Sequence, residues 1–193
     1  MQNGTPSILI MEYFDVLNEK GEKIGITKLR NEVHRDGDWH RTVHIWVFNN
    51  NGEVLLQRRS QDKDSNPNKL DISCGGHLSA GDDSISGGIR ELKEELGIDA
   101  TPSDFKFITT IKKSTKYSET YINREFADMF ILHTNKTIDE LKFQEEEISE
   151  IMFVPYNKFK EMVKNKQPDL LLHDEEYEIL FQICDKELDN KKC

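Results

Sequence analysis

"GGHLSAGDDSISGGIRELKEELGI", residues 75–98, places three glutamates on one short amphipathic segment with a glycine pair in its middle. At about 100° per residue, Ile85, Ile89, Leu92 and Leu96 fall within about 60° of one another, a core-facing stripe. Glu91, Glu94 and Glu95 occupy an arc of about 100° on the opposite side, close enough to be neighbours. Like charges at such spacings cost roughly 0.2–0.5 kcal/mol per pair, and Lys93 points elsewhere. Gly87 and Gly88 each add a cost of about 1 kcal/mol in a helix interior. They flank the glutamate arc, so the expectation is that they leave backbone room for something bulky beside it. Hard divalent cations want clustered oxygen ligands, and Mg²⁺ bridges carboxylates to substrate phosphates. The segment reads as a metal-holding helix rather than a solvated acidic face.

The rest of the chain supplies a frame for that helix. "YFDVLNEKGEKIGITKL" reads as an N-terminal β-hairpin, and "TVHIWVFNNNGEVLLQRRS" as a clearer one with Asn-Asn-Gly at the turn. Strands are expected near "FKFITTIKKS", "EFADMFILHT" and "EEEISEIMFVP", and a helix around "YNKFKEMVKN". Tyr177, Leu180, Phe181, Cys184 and Leu188 recur at helical spacing near the end. Strands and helices interleave without repeat or linker, so the expectation is one α/β domain over residues 1–193, with 1–10 a flexible tail.

Composition narrows the partners. Apolar residues at 36% and charged residues at 32% are ordinary for a soluble domain. The N-terminus has no basic start and no long apolar run, which argues against a signal peptide and a membrane partner. Cys74, Cys184 and Cys193 form no paired framework, which points to a reducing cytoplasm. The net charge of −10 and the lack of a basic cluster disfavour nucleic acid. An anionic substrate would need local cations. Oligomeric state is open, a homodimer included.

The residues Gly76, Asp82 and Arg90-Glu91-Leu92-Lys93-Glu94-Glu95-Leu96-Gly97-Ile98 resemble the Nudix box, which occupies 76–98 here. Asp82 departs from the glutamate usual at its position. The resemblance implies a Nudix-type α/β/α sandwich with a mixed β-sheet, and a hydrolase acting on a small-molecule diphosphate. It implies that Glu91, Glu94 and Glu95 are the catalytic glutamates, that they hold Mg²⁺ or Mn²⁺ together with Gly76 and Glu125, and that Arg90 braces a glutamate. A carboxylate would accept the proton of the attacking water. Glu95 is one candidate; the run Glu145-Glu146-Glu147 is another, or else a solvated loop.

A second resemblance covers roughly residues 12–185: "HRDGDWHRTVHIWVFNNNGEVLLQRRS…NP…SCGGH" is similar to the isopentenyl-diphosphate isomerase branch of the same superfamily. Aligned on that branch, His77 and His40 fall on metal histidines, and His34 on the third with a one-residue shift. Arg59 and Lys63 fall on diphosphate-binding positions, and Glu125 on the second glutamate of a Glu-x-Glu whose first is Asn123. Two departures argue against isomerase chemistry. Gly75 stands where the catalytic cysteine belongs, and Cys74, one residue off, faces the other way in an extended segment. All three box glutamates are kept, as metal-assisted hydrolysis requires. The readings that stand are a Nudix hydrolase, an isomerase and a diphosphate-binding module without turnover. His34, His40 and His77 either hold metal or line the substrate pocket. His44 reads as a packed or hydrogen-bonded strand residue, His133 and His173 have no supporting context, and Trp39 and Tyr121 are candidates to stack on a ring. Arg59 is expected as an exposed strand-end cation that holds phosphate.

Overall fold

Val43–Phe48 is a nearly unbroken apolar run, which suits a strand covered on both faces. In the computed structural model, which describes residues 11–63 and 65–190 (the last three by backbone alone), that run lies in β3 (Trp39–Asn49). The expected tail 1–10 and the Leu188 side chain lie outside the described residues.

Strand β3 is the centre of a mixed nine-stranded sheet. It follows the hairpin of β1 (Tyr13–Leu17) and β2 (Lys23–Leu29) and a short helix α1 (Arg30–Asp36). After it come β4 (Glu53–Arg59), β5 (Leu70–Asp71) and β6 (Cys74–His77), which leads into α2 (Ser84–Leu96). The long strands β7 (Lys106–Ser118) and β8 (Tyr121–Thr134) form a hairpin; β9 (Ile148–Pro155), α3 (Tyr156–Lys164) and α4 (Asp174–Asn190) complete the order. β8 pairs with β3 in parallel, whereas β6 pairs with β3 and β9 with β4 antiparallel.

The two faces of β3 enter two different cores, as alternation along a strand requires. Val43, Ile45 and Val47 join Leu92 and Leu96 of α2. Trp46 and Phe48 join Phe159 of α3 and Tyr177 and Leu180 of α4. Helices therefore cover both faces of a mixed sheet, the α/β/α sandwich expected from the sequence. Helix α1 was not expected; at seven residues it is too short to show a period.

The glycine pair requires a correction. A Cβ at Gly87 would sit 2.2 Å from Leu78 Cδ2, and one at Gly88 would sit 2.8 Å from Phe105. Both glycines are buried against the core and make room for its side chains, not for a ligand beside the glutamates. The close approach at the acidic face belongs to Gly76, where a Cβ would fall 2.1 Å from the Glu91 carboxylate carbon.

Candidate functional site

The N-terminus of α2 is fixed by Asp83, whose side chain accepts from the backbone N–H of Ile85 and Ser86 at 2.9 Å each. With α2 seated on its Leu92–Leu96 stripe, Glu91 and Glu95 turn inward and are buried, while Glu94 is exposed. All three line one cavity of about 590 Å³, together with Gly76, His77, Arg59, Lys63, Arg90 and Glu125.

Burial pushes the Glu91 carboxyl up to about 7, against the opposing pull of Arg90. Burial also takes Glu95 up to about 8, with the neighbouring Glu91 adding to the rise. One Glu95 oxygen has no hydrogen-bond partner. Two buried, mutually repelling carboxylates with an unpartnered oxygen are the donor set that a hard divalent cation takes. Arg90 braces this group: its Nη1 lies 2.9 Å from Glu91 and 3.0 Å from Glu94.

Behind His77, His34 of α1 and His40 of β3 complete a triad whose nitrogens lie within 4.8 Å of one another. Each Nε2 is buried and without a partner, a donor set that also fits a cation. Burial and mutual repulsion push His40 down to about 4 and His77 well below the ordinary range, so the rings are held neutral, as metal ligands must be. Glu125 sits opposite His40 in the β3–β8 ladder and accepts from Asn123 at 3.0 Å. The remaining Asn123 oxygen is buried without a partner.

The cations differ from expectation. Arg59 is not an exposed strand end: it donates to the Ser65 carbonyl from Nε at 3.1 Å and from Nη2 at 2.9 Å, and to Asp71 from Nη1 at 3.1 Å. The chain folds back over the strand end there and covers most of the guanidinium. Lys63 pairs with Glu147 at the cavity mouth, so the acidic run is not wholly a solvated loop. Trp39 packs on Phe126 and donates to Glu19, away from the cavity, whereas Tyr121 lines it and lies 4.9 Å from the His34 ring. Cys74 is fully buried in the α2-side core, opposite Ile45, and its thiol is pushed well up by burial.

The NUDIX domain family matches residues 38–174, which takes in Glu91, Glu94, Glu95 and Glu125, Arg59, Lys63 and Arg90, and two of the three triad histidines. The chain is a Nudix family member. It is 42% identical over 179 residues to Nudix hydrolase 3 of Arabidopsis thaliana; the match covers 89% of this chain and 23% of that protein, so the chain spans about a quarter of that relative's length. An uncharacterized Nudix hydrolase of Clostridium acetobutylicum is 36% identical over 158 residues, 80% of this chain and 75% of that one. A solved structure from Deinococcus radiodurans shares the fold with a TM-score of 0.65 at 21% identity, covering 87% of this chain and 97% of that one.

Several residues of this Nudix cavity were not singled out in the sequence as members of one site. Asp71, Arg30 and Gln57 line it, as do His44, read from the sequence as a packed or hydrogen-bonded strand residue, and His173, which sequence context left without a role. His173 lies 2.8 Å from Asp71. A local signal exists only for His44, which shares a strand face with His40 and Thr42. No described helix is long and apolar enough to cross a membrane.

Proposed function

We propose that the protein is a divalent-metal-dependent hydrolase of the diphosphate bond in a nucleoside diphosphate or another organic diphosphate. The observation that carries this reading is the buried Glu91–Glu95 pair, braced by Arg90 and facing Arg59 and Lys63 across one cavity. Mg²⁺ or Mn²⁺ held there would neutralise the diphosphate and lower the pKa of an attacking water. Glu91, Glu94 and Glu95 hold the cation, and Gly76 keeps the Glu91 carboxylate in place by leaving it space. Arg59, already oriented by Asp71 and Ser65, and Lys63 bind phosphate oxygens. Glu147 is the member of its acidic run that is drawn in at the mouth, and we assign it to accept the proton of the attacking water. We read the whole chain as one such domain, since the β1–β2 hairpin joins the same sheet that α2 and α4 cover. A cytoplasmic setting is supported by Cys74 and Cys184, which are unpaired.

The histidine triad favours one further reading, an isopentenyl-diphosphate isomerase-type enzyme, because its three unpartnered Nε2 atoms suit the metal site of that branch. Against it, Gly75 stands at the cysteine's place in the cavity lining, and the Cys74 thiol is fully buried in the α2-side core beside Glu95 rather than in that lining. A screen of organic diphosphates with Mg²⁺, read by phosphate release with and without added phosphatase, tests the hydrolase directly. Metal-dependent release that is lost in Glu95→Gln supports it. Interconversion of isopentenyl and dimethylallyl diphosphate without release would replace it with the isomerase.

A further inference from the structure

One wall of the cavity carries a buried charged cluster that the hydrolase reading leaves unused. His44 Nδ1 lies 2.9 Å from Glu176 Oε2, and Trp46 Nε1 donates to the other Glu176 oxygen at 2.9 Å. Glu176, at the start of α4, has no exposed surface. Lys113 of β7 donates to the same Oε2 at 3.1 Å and lies 2.9 Å from His173 Nδ1. The other ring nitrogen of His173 reaches Asp71 at 2.8 Å. His44, His173 and Glu176 have the composition of a metal site, but the Lys113 ammonium already bonds two of them. This cluster holds its own cation.

What the cluster fixes is the ring of His44. With Nδ1 committed to Glu176, Nε2 is the nitrogen left over, and among the described residues none bonds it. His44 lines the cavity, and directly across the β3–β6 ladder from it is Gly75. Residues opposed in an antiparallel ladder share a face, but a Cβ at Gly75 would sit 2.9 Å from Ile72 Cδ1, so the open space that His44 meets is the cavity they both line and not the place of a missing side chain. Thr42, two positions earlier on the same face, also lines the cavity, and its buried hydroxyl has no partner. Gly76, next along β6, is the residue against which Glu91 lies.

We infer that His44 is a substrate-binding residue of this cavity, donating its Nε2–H to a phosphate oxygen bound there, with Thr42 as the second donor and Glu176 as the positioning residue. The inference rests on the diphosphate reading above. Burial by itself would push His44 down, but the charge and hydrogen bond of Glu176 push it up. The charged and titratable groups facing the ring are Glu176 and His173 from the α4 side, Lys113 from β7, Glu125 from β8, and Asp71 of β5 through His173. Of the charges acting on it, those of Glu176 and Glu125 favour the imidazolium and that of Lys113 opposes it. An arriving phosphate places a further negative charge on the other edge of the ring.

The test uses methylenediphosphonate, a non-hydrolysable diphosphate, with Mg²⁺ and the full chain. Calorimetry gives its affinity, and imidazole ¹H–¹⁵N spectra follow the His44 ring. In the unmodified protein the His44 Nε2 resonance is expected to shift on binding and its pKa to rise. His44→Phe is expected to weaken binding about ten- to hundredfold, and His44→Gln, whose amide can donate, to weaken it less. Glu176→Gln is expected to lower the His44 pKa and to weaken binding most at high pH, an effect that a purely structural role would not produce. Trp46 fluorescence reports whether each variant is folded. An Nε2 resonance indifferent to the ligand, or unchanged affinity in folded His44→Phe, overturns the inference. Methylenediphosphonate bound through His44 by a protein that hydrolyses no diphosphate would reject the hydrolase and leave the inference standing. Should only substrates with a hydroxylated organic group move the His44 resonance, the oxygen recognised is not a phosphate oxygen, and the assignment fails.

Discussion

The cavity has two walls of nearly the same chemistry and opposite condition. On one, Glu91, Glu95, His34 and His40 are buried and His77 is half-buried, and partners are missing: one Glu95 oxygen and all three histidine Nε2 atoms lack a hydrogen bond. On the other, Arg59, Asp71, His173, Lys113, Glu176 and His44 form a chain in which each charge meets an opposite charge or a ring nitrogen. Burial alone would raise the Asp71 and Glu176 carboxyls, but their partners hold both below the ordinary carboxylate range. Glu91 and Glu95 rise instead, to about 7 and about 8. Buried polar atoms without partners are rare and costly. The first wall is therefore built around something to be bound, and the second is built to hold its shape.

The comparison breaks most easily at Glu95. Glu95→Gln is expected to cut turnover on the order of a thousandfold and leave thermal stability equal or higher, because it removes a charge that burial disfavours. Unchanged metal-dependent turnover would mean that the partner-poor wall is not the metal wall. Asp71→Ala acts on the other side: the buried network loses the anion between Arg59 and His173, and denaturant unfolding should show a loss of about 3 kcal/mol. A loss within 0.5 kcal/mol, the ordinary range for surface changes, would show that wall to be ornamental to the fold.

Arg59→Ala sharpens the contrast, since Arg59 belongs to the satisfied wall yet faces the substrate. Urea titration should read a loss of about 2 kcal/mol, and steady-state kinetics a raised KM, with Arg59→Lys recovering only part of either. A raised KM with full stability would return it to an exposed phosphate contact. The smallest effect concerns pH. The Glu91 and Glu95 carboxyls lie above their ordinary 4.5, so the stability they contribute is full below about 4.5 and lost as pH rises through about 7 to about 8. A bound cation replaces those protons. Added Mg²⁺ should thus raise Tm by a few degrees more at pH 8.5 than at pH 6. Glu95→Gln should reduce that difference; an equal Mg²⁺ effect at both pH values would place the cation elsewhere.

The two walls were also unequally legible. The first shows in the sequence because its glutamates share one helix, where a period of 3.6 places them side by side, and because Gly76 and His77 lead directly into that helix. The second joins His44 to Glu176, His173 to Asp71 and Lys113 to Glu176, pairs that meet only once the sheet and α4 are assembled. In its local context each is an ordinary strand, loop or helix-start residue. The role given to Gly87 and Gly88 failed for a related reason. Helical spacing locates a glycine on a wheel, but Leu78 and Phe105, which occupy the space, come from other elements.

The parallel pairing of β3 with β8 carries a consequence for how the chain reaches activity. It sets His40 opposite Glu125 and Trp39 opposite Arg124 without any turn to hold the register. A slip of one residue would send every side chain of β8 to the wrong face, and Glu125 would leave the cavity. Such non-local pairings form slowly, after local hairpins such as β7–β8. Refolding followed by turnover should therefore lag refolding followed by far-ultraviolet circular dichroism, with catalytic competence serving as a clock for the closing of the sheet.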